Sequence, residues 1–368
     1  MSAAGRSLDG TDARASAGTP LPPHTQVLER RRLGQSAVHV SRIGFGAASL
    51  GNLYRETSDE EAAGAVAAAW DEGIRFFDTA PHYGLGLSER RLGEALAAYP
   101  RDEMVISTKV GRLLVPNPRP TGVDDGFVVP DNLMRRWDFS RDGVLRSLEG
   151  SLERLGTDRV DVVFVHDPDA CSEGAAREAL VTLRELRDEG VVGAIGVGTN
   201  ETHQLGELFD EHLIDVAMLA GRYTLLEQPG LESVLEPARR AGASVIAVGV
   251  YNSGLLSTPR PGPDASYNYL PAPPDVLERV HRIADVCERH NVTLPDAALA
   301  FPLQHPAVAG IALGMRSARQ VRDNLRRASV AVPDALWHDL AEQGLIDPRS
   351  LTAGPKTDPN VDQQEETP

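Results

Sequence analysis

The feature that most constrains how this chain can fold is an alternation of short apolar runs with amphipathic helical segments. Eight runs rich in β-branched residues recur, and most are apolar without interruption, as parallel strands covered on both faces require. The predicted strands are Ile43–Ala47, Ile74–Asp78, Met104–Thr108, Val160–His166, Gly193–Gly198, Ile214–Leu219, Ala243–Gly249 and Ala307–Leu313. Because a helical pattern follows each run, the sequence predicts an α/β fold of the (β/α)8 TIM-barrel type rather than an open sheet.

Several helix starts carry side chains that can cap the first turn. Ser58 followed by Glu61 has the spacing of a capping box. Ser140 precedes a stripe of leucines that repeats about every 3.6 residues, and Thr202 precedes a similar pattern. We therefore expect one helix to begin just after Ser58, another just after Ser140, and a third at Thr202.

Two segments interrupt the regular spacing of strands and helices. The first, Gly111–Asp138, is rich in Pro, Gly and Asn and reads as a long loop. The second, Tyr251–Pro274, is rich in Pro and precedes an extra helix at Val276–Arg289. Both follow predicted strands, so we expect them to cover the C-terminal mouth of the barrel, where barrel enzymes bind substrate.

The two ends of the chain differ from its middle. Residues 1–24 and 351–368 have too few apolar residues to offset the entropy of ordering, which predicts disordered tails around one barrel domain, 25–350. Within that domain, Gly34-Gln35 lies between two short apolar segments and predicts an N-terminal β-hairpin that plugs the barrel. Ala335–Gln343 predicts a C-terminal extra helix.

Charge and composition narrow the class of function. With 53 acidic against 37 basic side chains, the formal net charge is −16, which disfavours binding to nucleic acid or to anionic membranes. The sequence has no basic-then-apolar leader and no apolar run of ~18 residues, so we expect a soluble cytoplasmic protein. Cys171 and Cys287 share no metal-ligand spacing and are expected to be buried as small apolar side chains. Nothing in the sequence predicts the oligomeric state.

Four polar side chains are expected to meet at the mouth of the barrel. Asp78, Lys109 and His166 end or follow three neighbouring strands, and Tyr83 lies one loop turn beyond Asp78. Each has a structural alternative when taken alone: a turn cap, a lysine that extends to water, a structural histidine, or a packed loop tyrosine. Their convergence at one rim favours a functional interpretation, because a buried lysine beside a carboxylate is expected to be paired.

The chemistry follows from the neighbours of the phenol. Lys109 is expected to lower the pKa of Tyr83, because a nearby cation favours the phenolate. Asp78 would hold Lys109, and His166 would hydrogen-bond the substrate oxygen. Such a site moves a proton on or off an oxygen near neutral pH, and the hydride has to be carried by a cofactor.

These residues also carry a family resemblance. The segment Phe77-Asp78-Thr79-Ala80-Pro81-His82-Tyr83-Gly84 and the later Ser88-Glu89-Arg90-Arg91-Leu92-Gly93 resemble the aldo-keto reductase signature. Further stretches resemble the D-threo-aldose 1-dehydrogenase and L-fucose dehydrogenase group within that family; they are Trp137–Ser140, His166–Asp169, Gly221–Leu226 and Tyr251–Gly254. The resemblance implies NAD(P)-dependent oxidation of the anomeric hydroxyl of a sugar to a lactone. It also implies that Tyr83 acts as the base, with Asp78, Lys109 and His166 in the roles given above.

The resemblance implies a set of cofactor-binding residues as well. They are Thr199, Asn200, Gly249, Tyr251, Asn252, Gly254, Leu255, Gly314, Arg316, Ser317, Gln320 and Asn324. Relatives specific for NADPH have a Lys and an Arg in place of Gly314 and Gln320. The expected cofactor is therefore NAD or NADP, with NAD favoured.

Substrate specificity depends on the two insertions at the mouth, where Tyr54 and Trp137 are candidate substrate contacts. The same four mouth residues serve a pyridoxal dehydrogenase or another carbonyl or alcohol oxidoreductase equally well. A non-catalytic regulatory subunit that binds NAD(P) is a third possibility, because fold alone does not decide function. A metal hydrolase is disfavoured, since Lys109 would repel a cation and no helix has paired ligand spacing; no metal site is expected.

Overall fold

The computed structural model describes residues 28–124, 126–172, 174–268 and 270–351. Its centre is a closed barrel of eight parallel strands, as the alternating pattern predicts. The strands of the barrel are β3 (Ile43–Gly46), β4 (Phe76–Asp78), β5 (Val105–Val110), β8 (Val162–His166), β9 (Ala194–Thr199), β10 (Val216–Ala220), β11 (Ser244–Val248) and β14 (Val308–Gly314). They pair in this order, and β14 closes the ring against β3.

Helices surround the barrel and bury their apolar faces against the outer side of the strands. Ser58 and Ser140 cap their helices by accepting hydrogen bonds from the amides of Glu61 and Gly143, which confirms both predicted starts. The helices are α1 (Asp59–Asp71), α2 (Leu87–Leu96), α3 (Arg141–Leu155), α4 (Ala175–Asp188), α5 (Leu205–Asp210), α6 (Glu236–Ala241), α7 (Pro274–Arg289), α8 (Leu294–Ala300), α9 (Ala318–Ala328) and α10 (Asp334–Glu342). The predicted extra helix before β14 corresponds to α7, and the C-terminal extra helix to α10.

A hairpin closes the N-terminal end of the barrel. Its strands are β1 (Arg30–Arg32) and β2 (His39–Ser41), which pair antiparallel. Leu33 and Val40 are fully buried and pack with the inward-facing side chains of the barrel strands. The predicted plug is therefore present, and access to the barrel interior is from the opposite, C-terminal mouth.

The first insertion at the mouth is more ordered than the sequence predicts. Its two ends form a hairpin of β6 (Arg112–Pro116) and β7 (Leu133–Trp137), five residue pairs long. The interpretation of 111–138 as a loop was therefore wrong for these ends. The second insertion includes a short hairpin of β12 (Ser266–Tyr267) and β13 (Leu270–Pro271).

Two smaller expectations also need correction. The helix predicted at Thr202 begins at Leu205, because the chain first makes a turn at His203-Gln204. Cys287 is buried as expected, but Cys171 is exposed because it follows a surface turn at Pro168–Ala170. The predicted tails lie outside the described residues, apart from Leu351. No helix of the described part of the chain is long and apolar enough to span a membrane.

Candidate active site

The structure brings the four predicted mouth residues together. Asp78 ends β4, Lys109 lies near the end of β5 and His166 ends β8, so parallel pairing places them at one rim. Tyr83 lies in the loop after β4, with its backbone pressed against Gly51. Gly84 has φ +62, and a Cβ there would lie 2.3 Å from the carbonyl oxygen of Gly51. A side chain at that position would displace the loop that holds Tyr83.

Lys109 and Asp78 form a buried ion pair. Nζ of Lys109 donates to both carboxylate oxygens of Asp78, at 2.8 and 2.7 Å, and to the carbonyl oxygen of Thr79 at 3.0 Å. Their side chains are only 2% and 5% exposed. Burial lowers the pKa of Lys109, but Asp78 and Tyr83 together outweigh burial and raise it above its ordinary value. The lysine is therefore a cation at neutral pH.

Tyr83 lies directly against this cation. Nζ of Lys109 is 4.8 Å from the centroid of the Tyr83 ring. Desolvation raises the pKa of Tyr83, and Lys109 opposes that rise without reversing it. The expectation of a lowered pKa was therefore wrong in its net direction, because the sequence reveals the charged neighbour but not the loss of water. At neutral pH the phenol is protonated.

His166 is buried at the same rim and is neutral. Burial is the main cause of its strongly lowered pKa, and the charges of Lys109 and Arg112 add to it. Its ring meets that of Tyr83 edge to face, with 5.8 Å between centroids. Nδ1 of His166 has no hydrogen-bond partner within the described residues. A neutral imidazole in this position can donate one hydrogen bond to a substrate oxygen.

Sequence reasoning missed a second group of polar side chains around this rim. Arg112, from β6, donates to the carboxylate of Asp167 and lies 3.3 Å from Nδ1 of His82. Arg135, from β7, pairs with both oxygens of Asp124 and donates to the carbonyl oxygen of His82. Burial and these two arginines lower the pKa of His82 to about 2, so it too is neutral. The available signal was Asp167, a charged residue that directly follows His166 at the end of its strand.

A cavity of about 540 Å³ lies at the C-terminal mouth. Asp78, His82, Tyr83, His166 and Asp167 line it. Four of the predicted cofactor residues also line it; they are Asn200, Gly249, Asn252 and Gly314. Ala220, the last residue of β10, also lines the cavity.

The remaining predicted cofactor residues lie away from the cavity wall. Thr199 donates to Asp169, and Tyr251 donates from its hydroxyl to Asn324. Leu255 is buried, and Gly254 precedes the 3-10 turn that Leu255 begins. Arg316, Ser317 and Gln320 lie where β14 leads into α9.

The chain's own groups fit a nicotinamide dinucleotide. Oδ1 of Asn252, in the cavity wall, and Nη1 of Arg316 are buried without a hydrogen-bond partner among the described residues. Ser317 caps α9 and accepts from the amide of Gln320. A helix N-terminus next to a guanidinium suits a phosphate, and an amide oxygen in the wall suits a carboxamide.

The two candidate substrate residues differ in position. Tyr54 lines the cavity and has φ 63, which turns its backbone towards the loop at Gly126. Trp137 is not among the residues that line the cavity; it stacks on Phe139 and carries the guanidinium of Arg112 over its ring at 4.3 Å. Through Arg112, Trp137 is linked to Asp167 in the cavity wall. Across residues 28–351, apart from the three gaps given above, no cluster of three His, Cys, Asp or Glu side chains could hold a metal ion.

Comparison with known proteins finds one enzyme family and its fold. The sequence profile described as "Aldo/keto reductase family" matches residues 42–343. The chain is 46% identical to a D-threo-aldose 1-dehydrogenase from a Pseudomonas species, over 83% of this chain and 95% of that protein. It is 37% identical to a pyridoxal 4-dehydrogenase from Microbacterium luteolum, over 88% and 99%. Among solved structures, an aldo-keto reductase from Bacillus halodurans in its holo form superposes with a TM-score of 0.68 at 25% identity, covering 86% of this chain and 96% of that one.

Proposed function

Because this chain belongs to the aldo/keto reductase family, we propose that it oxidises an aldose of the L-fucose or D-threo type at carbon 1, giving the lactone. It is an NAD(P)-dependent oxidoreductase. The observation that carries the proposal is a buried Lys109–Asp78 ion pair, 2.7 Å long, which lies against the ring of Tyr83. Tyr83 and neutral His166 line the same cavity.

The residues would divide the work as follows. His166 donates a hydrogen bond to the oxygen of the anomeric carbon and so orients the substrate. Tyr83 accepts the proton of that hydroxyl when it acts as base, and Lys109 stabilises the phenolate that precedes the transfer. Asp78 positions Lys109. The nicotinamide cofactor, when bound, supplies the hydride acceptor.

The raised pKa of Tyr83 has a consequence for direction. A protonated phenol is ready to donate a proton, as carbonyl reduction requires, whereas oxidation needs the minor deprotonated form. Oxidation of an aldose is therefore expected to accelerate as pH rises. The 46% identity to an aldose dehydrogenase supports the oxidative reaction as the physiological one.

We propose NAD rather than NADP as the preferred cofactor. Arg316 has Arg55 and Glu61 as charged neighbours, and Glu61 lies 3.5 Å from Arg55. Because Glu61 pairs with Arg55, it reduces the positive charge that this group can offer to the extra phosphate of NADP. Gly314 and Gln320 contribute no cation to offset it.

A second candidate is oxidation of pyridoxal, favoured by the 37% identity to a pyridoxal dehydrogenase. A panel of L-fucose, D-arabinose and pyridoxal with NAD+ and NADP+, read by absorbance of the reduced cofactor, separates the two. Turnover of aldoses well above pyridoxal supports the proposal. Turnover of pyridoxal alone would replace it, and silence on every substrate with intact NAD+ binding would favour a regulatory subunit.

The assignment of Tyr83 is tested by Tyr83→Phe, which removes only the hydroxyl. We expect kcat to fall by about 100-fold to 10,000-fold, because general acid–base catalysis contributes that much, while the Kd for NAD+ stays the same. Wild-type turnover in this variant would exclude Tyr83 as the base. Tyr99→Phe is the matched control, since Tyr99 stacks on Trp70 among the packed helices and is not part of the cavity wall.

A further inference from the structure

Asp167 is a charged residue in the cavity that the proposed proton transfer does not use. It directly follows His166 and has φ 43 and ψ 53, the left-handed region that a residue with a side chain rarely adopts. Its amide donates to the carbonyl oxygen of Gly198 at 2.8 Å, which fixes this conformation. The turn makes the carboxylate part of the cavity wall.

One oxygen of this carboxylate is held by the protein. Arg112 donates to Oδ2 of Asp167, and the Arg112 side chain is only 14% exposed. The guanidinium is itself held between the ring of Trp137 and Nδ1 of His82. Arg112 therefore fixes the orientation of the carboxylate from behind.

The other oxygen, Oδ1, accepts no hydrogen bond from the described residues, since Arg112 donates to Oδ2. The Asp167 side chain keeps 33% of its surface exposed. Partial burial raises the pKa of Asp167, and Arg112 and Lys109 oppose this rise. A partly desolvated acceptor that lacks a full set of donors makes strong hydrogen bonds to a ligand hydroxyl.

The position of Asp167 relative to His166 identifies which hydroxyl it can reach. Oδ2 of Asp167, the oxygen that Arg112 holds, lies 3.5 Å from Nε2 of His166, so the carboxylate group as a whole lies beside His166. His166 is the group that would hold the reacting oxygen. In a sugar, hydroxyls on adjacent carbons are separated by about the length of a hydrogen bond, so a neighbouring hydroxyl can reach the carboxylate when the reacting oxygen binds His166.

We propose that Asp167 is a specificity-determining residue that accepts a hydrogen bond from a hydroxyl one or two carbons from the carbon that is oxidised, and that Arg112 positions it. This inference rests on the proposed function and gives it a physical basis for selecting polyhydroxylated substrates. A carbonyl compound without such a hydroxyl leaves the carboxylate without a donor in a partly desolvated site. That loss disfavours simple aldehydes.

The test is a thermodynamic cycle that removes the Asp167 charge and the substrate hydroxyl separately and together. The substrates are the aldose with the highest kcat/KM and its 2-deoxy and 3-deoxy forms. The enzymes are wild type and Asp167→Asn, which keeps the shape of the side chain and removes its charge. We expect one deoxy form to lose about tenfold or more in kcat/KM with wild type, about 1.4 kcal/mol, and less than about threefold with Asp167→Asn.

Three further variants separate a loss of substrate selection from damage to the fold. Asp124→Asn weakens the pair of Arg135 with Asp124, a carboxylate that is not part of the cavity wall. The ratio of kcat/KM for the parent aldose to kcat/KM for its deoxy form, called the deoxy ratio, should therefore match that of wild type. Arg112→Met should reduce the coupling between Asp167 and the hydroxyl, and Arg112→Lys should restore part of it. Thermal unfolding and NAD+ affinity of each variant report whether the fold is intact.

The outcomes are distinguishable. Equal deoxy ratios for wild type and Asp167→Asn, in an enzyme that oxidises aldoses, would overturn the role of Asp167 and leave the proposed function intact. Wild-type turnover of hydroxyl-free aldehydes alone would overturn both. A deoxy penalty that wild type shows and Asp167→Asn loses supports both the role of Asp167 and the proposed function.

Discussion

Replacing Asp78 with asparagine tests the energetic core of the site. The asparagine side chain has nearly the same shape, but it leaves the ammonium of Lys109 without a counter-charge in a place where the two side chains are only 2% and 5% exposed. The remaining acceptors are the amide oxygen of the new side chain, the carbonyl oxygen of Thr79, 3.0 Å from Nζ, and the hydroxyl of Tyr83. None of them carries a charge at neutral pH.

The magnitude follows from that burial. Removing one partner of a buried ion pair costs about 3–5 kcal/mol, because an uncompensated charge is left in a low-dielectric site. We therefore expect Asp78→Asn to lower the free energy of unfolding by about this amount at pH 7, measured by urea denaturation. Asp323→Asn is the control: its pair with Arg326 has the same 2.7 Å length but is exposed, and no change beyond experimental error is expected.

The dependence of the free energy of unfolding on pH supplies a second test of the Asp78→Asn prediction. In the wild type the pKa of Lys109 is raised, so the pair stabilises the fold at neutral pH and the stabilisation is lost only as pH rises through that raised value. Without Asp78, burial should lower the pKa of Lys109 below its unfolded value. The variant then gains stability as pH rises towards that unfolded value, and the difference from wild type narrows.

Two results would refute this reasoning. One is a loss of less than ~1 kcal/mol at pH 7, the range of an exposed pair. The other is a difference from wild type that stays constant or widens with rising pH. Adding Lys109→Met to Asp78→Asn removes the isolated charge, so the double variant should be more stable than Asp78→Asn alone.

Three further predictions concern chemistry, packing and cofactor choice. Because the pKa of Tyr83 is raised, kcat/KM for aldose oxidation should rise about tenfold per pH unit from about pH 7 to about pH 9; a plateau below neutrality contradicts it. Gly93→Ala should cost about 1–3 kcal/mol in urea unfolding, because the new Cβ would lie 2.1 Å from the carbonyl oxygen of Leu155. Gly64→Ala, in the interior of α1 with nothing within 4 Å, should instead stabilise by about 0.5–1 kcal/mol. Glu61→Gln should raise the affinity for NADP+ several-fold relative to NAD+ in fluorescence titrations; an unchanged ratio would separate Glu61 from cofactor choice.

Most of the barrel could be predicted because its strands are buried on both faces and therefore read as continuous apolar runs. The run ending at Asp78 and the run ending at His166 have their C-terminal ends where the sequence predicts them. Parallel pairing then brings polar residues at those ends together. This is why the convergence of Asp78, Lys109 and His166 could be anticipated without knowledge of loop conformation.

What could not be predicted depends on contacts between distant segments. β6 and β7 pair across a connection of 16 residues, 117–132, so no local turn signal marks the hairpin. The contact of Arg112 with Asp167 depends on that hairpin and was missed with it. The direction of the Tyr83 pKa was missed for a related reason, since desolvation is a property of the packed site and not of its neighbours in sequence.

The sealed base of the barrel has a consequence for turnover. Phe76, Phe164 and Ile246 fill the interior above Leu33 and Val40, so nothing can pass through the axis of the molecule. In the proposed oxidation, every proton released has to leave through the same opening that admits the substrate and releases the product. Proton egress and product departure therefore share one route, and a bound product that blocks it also delays the return of the phenol to its starting state.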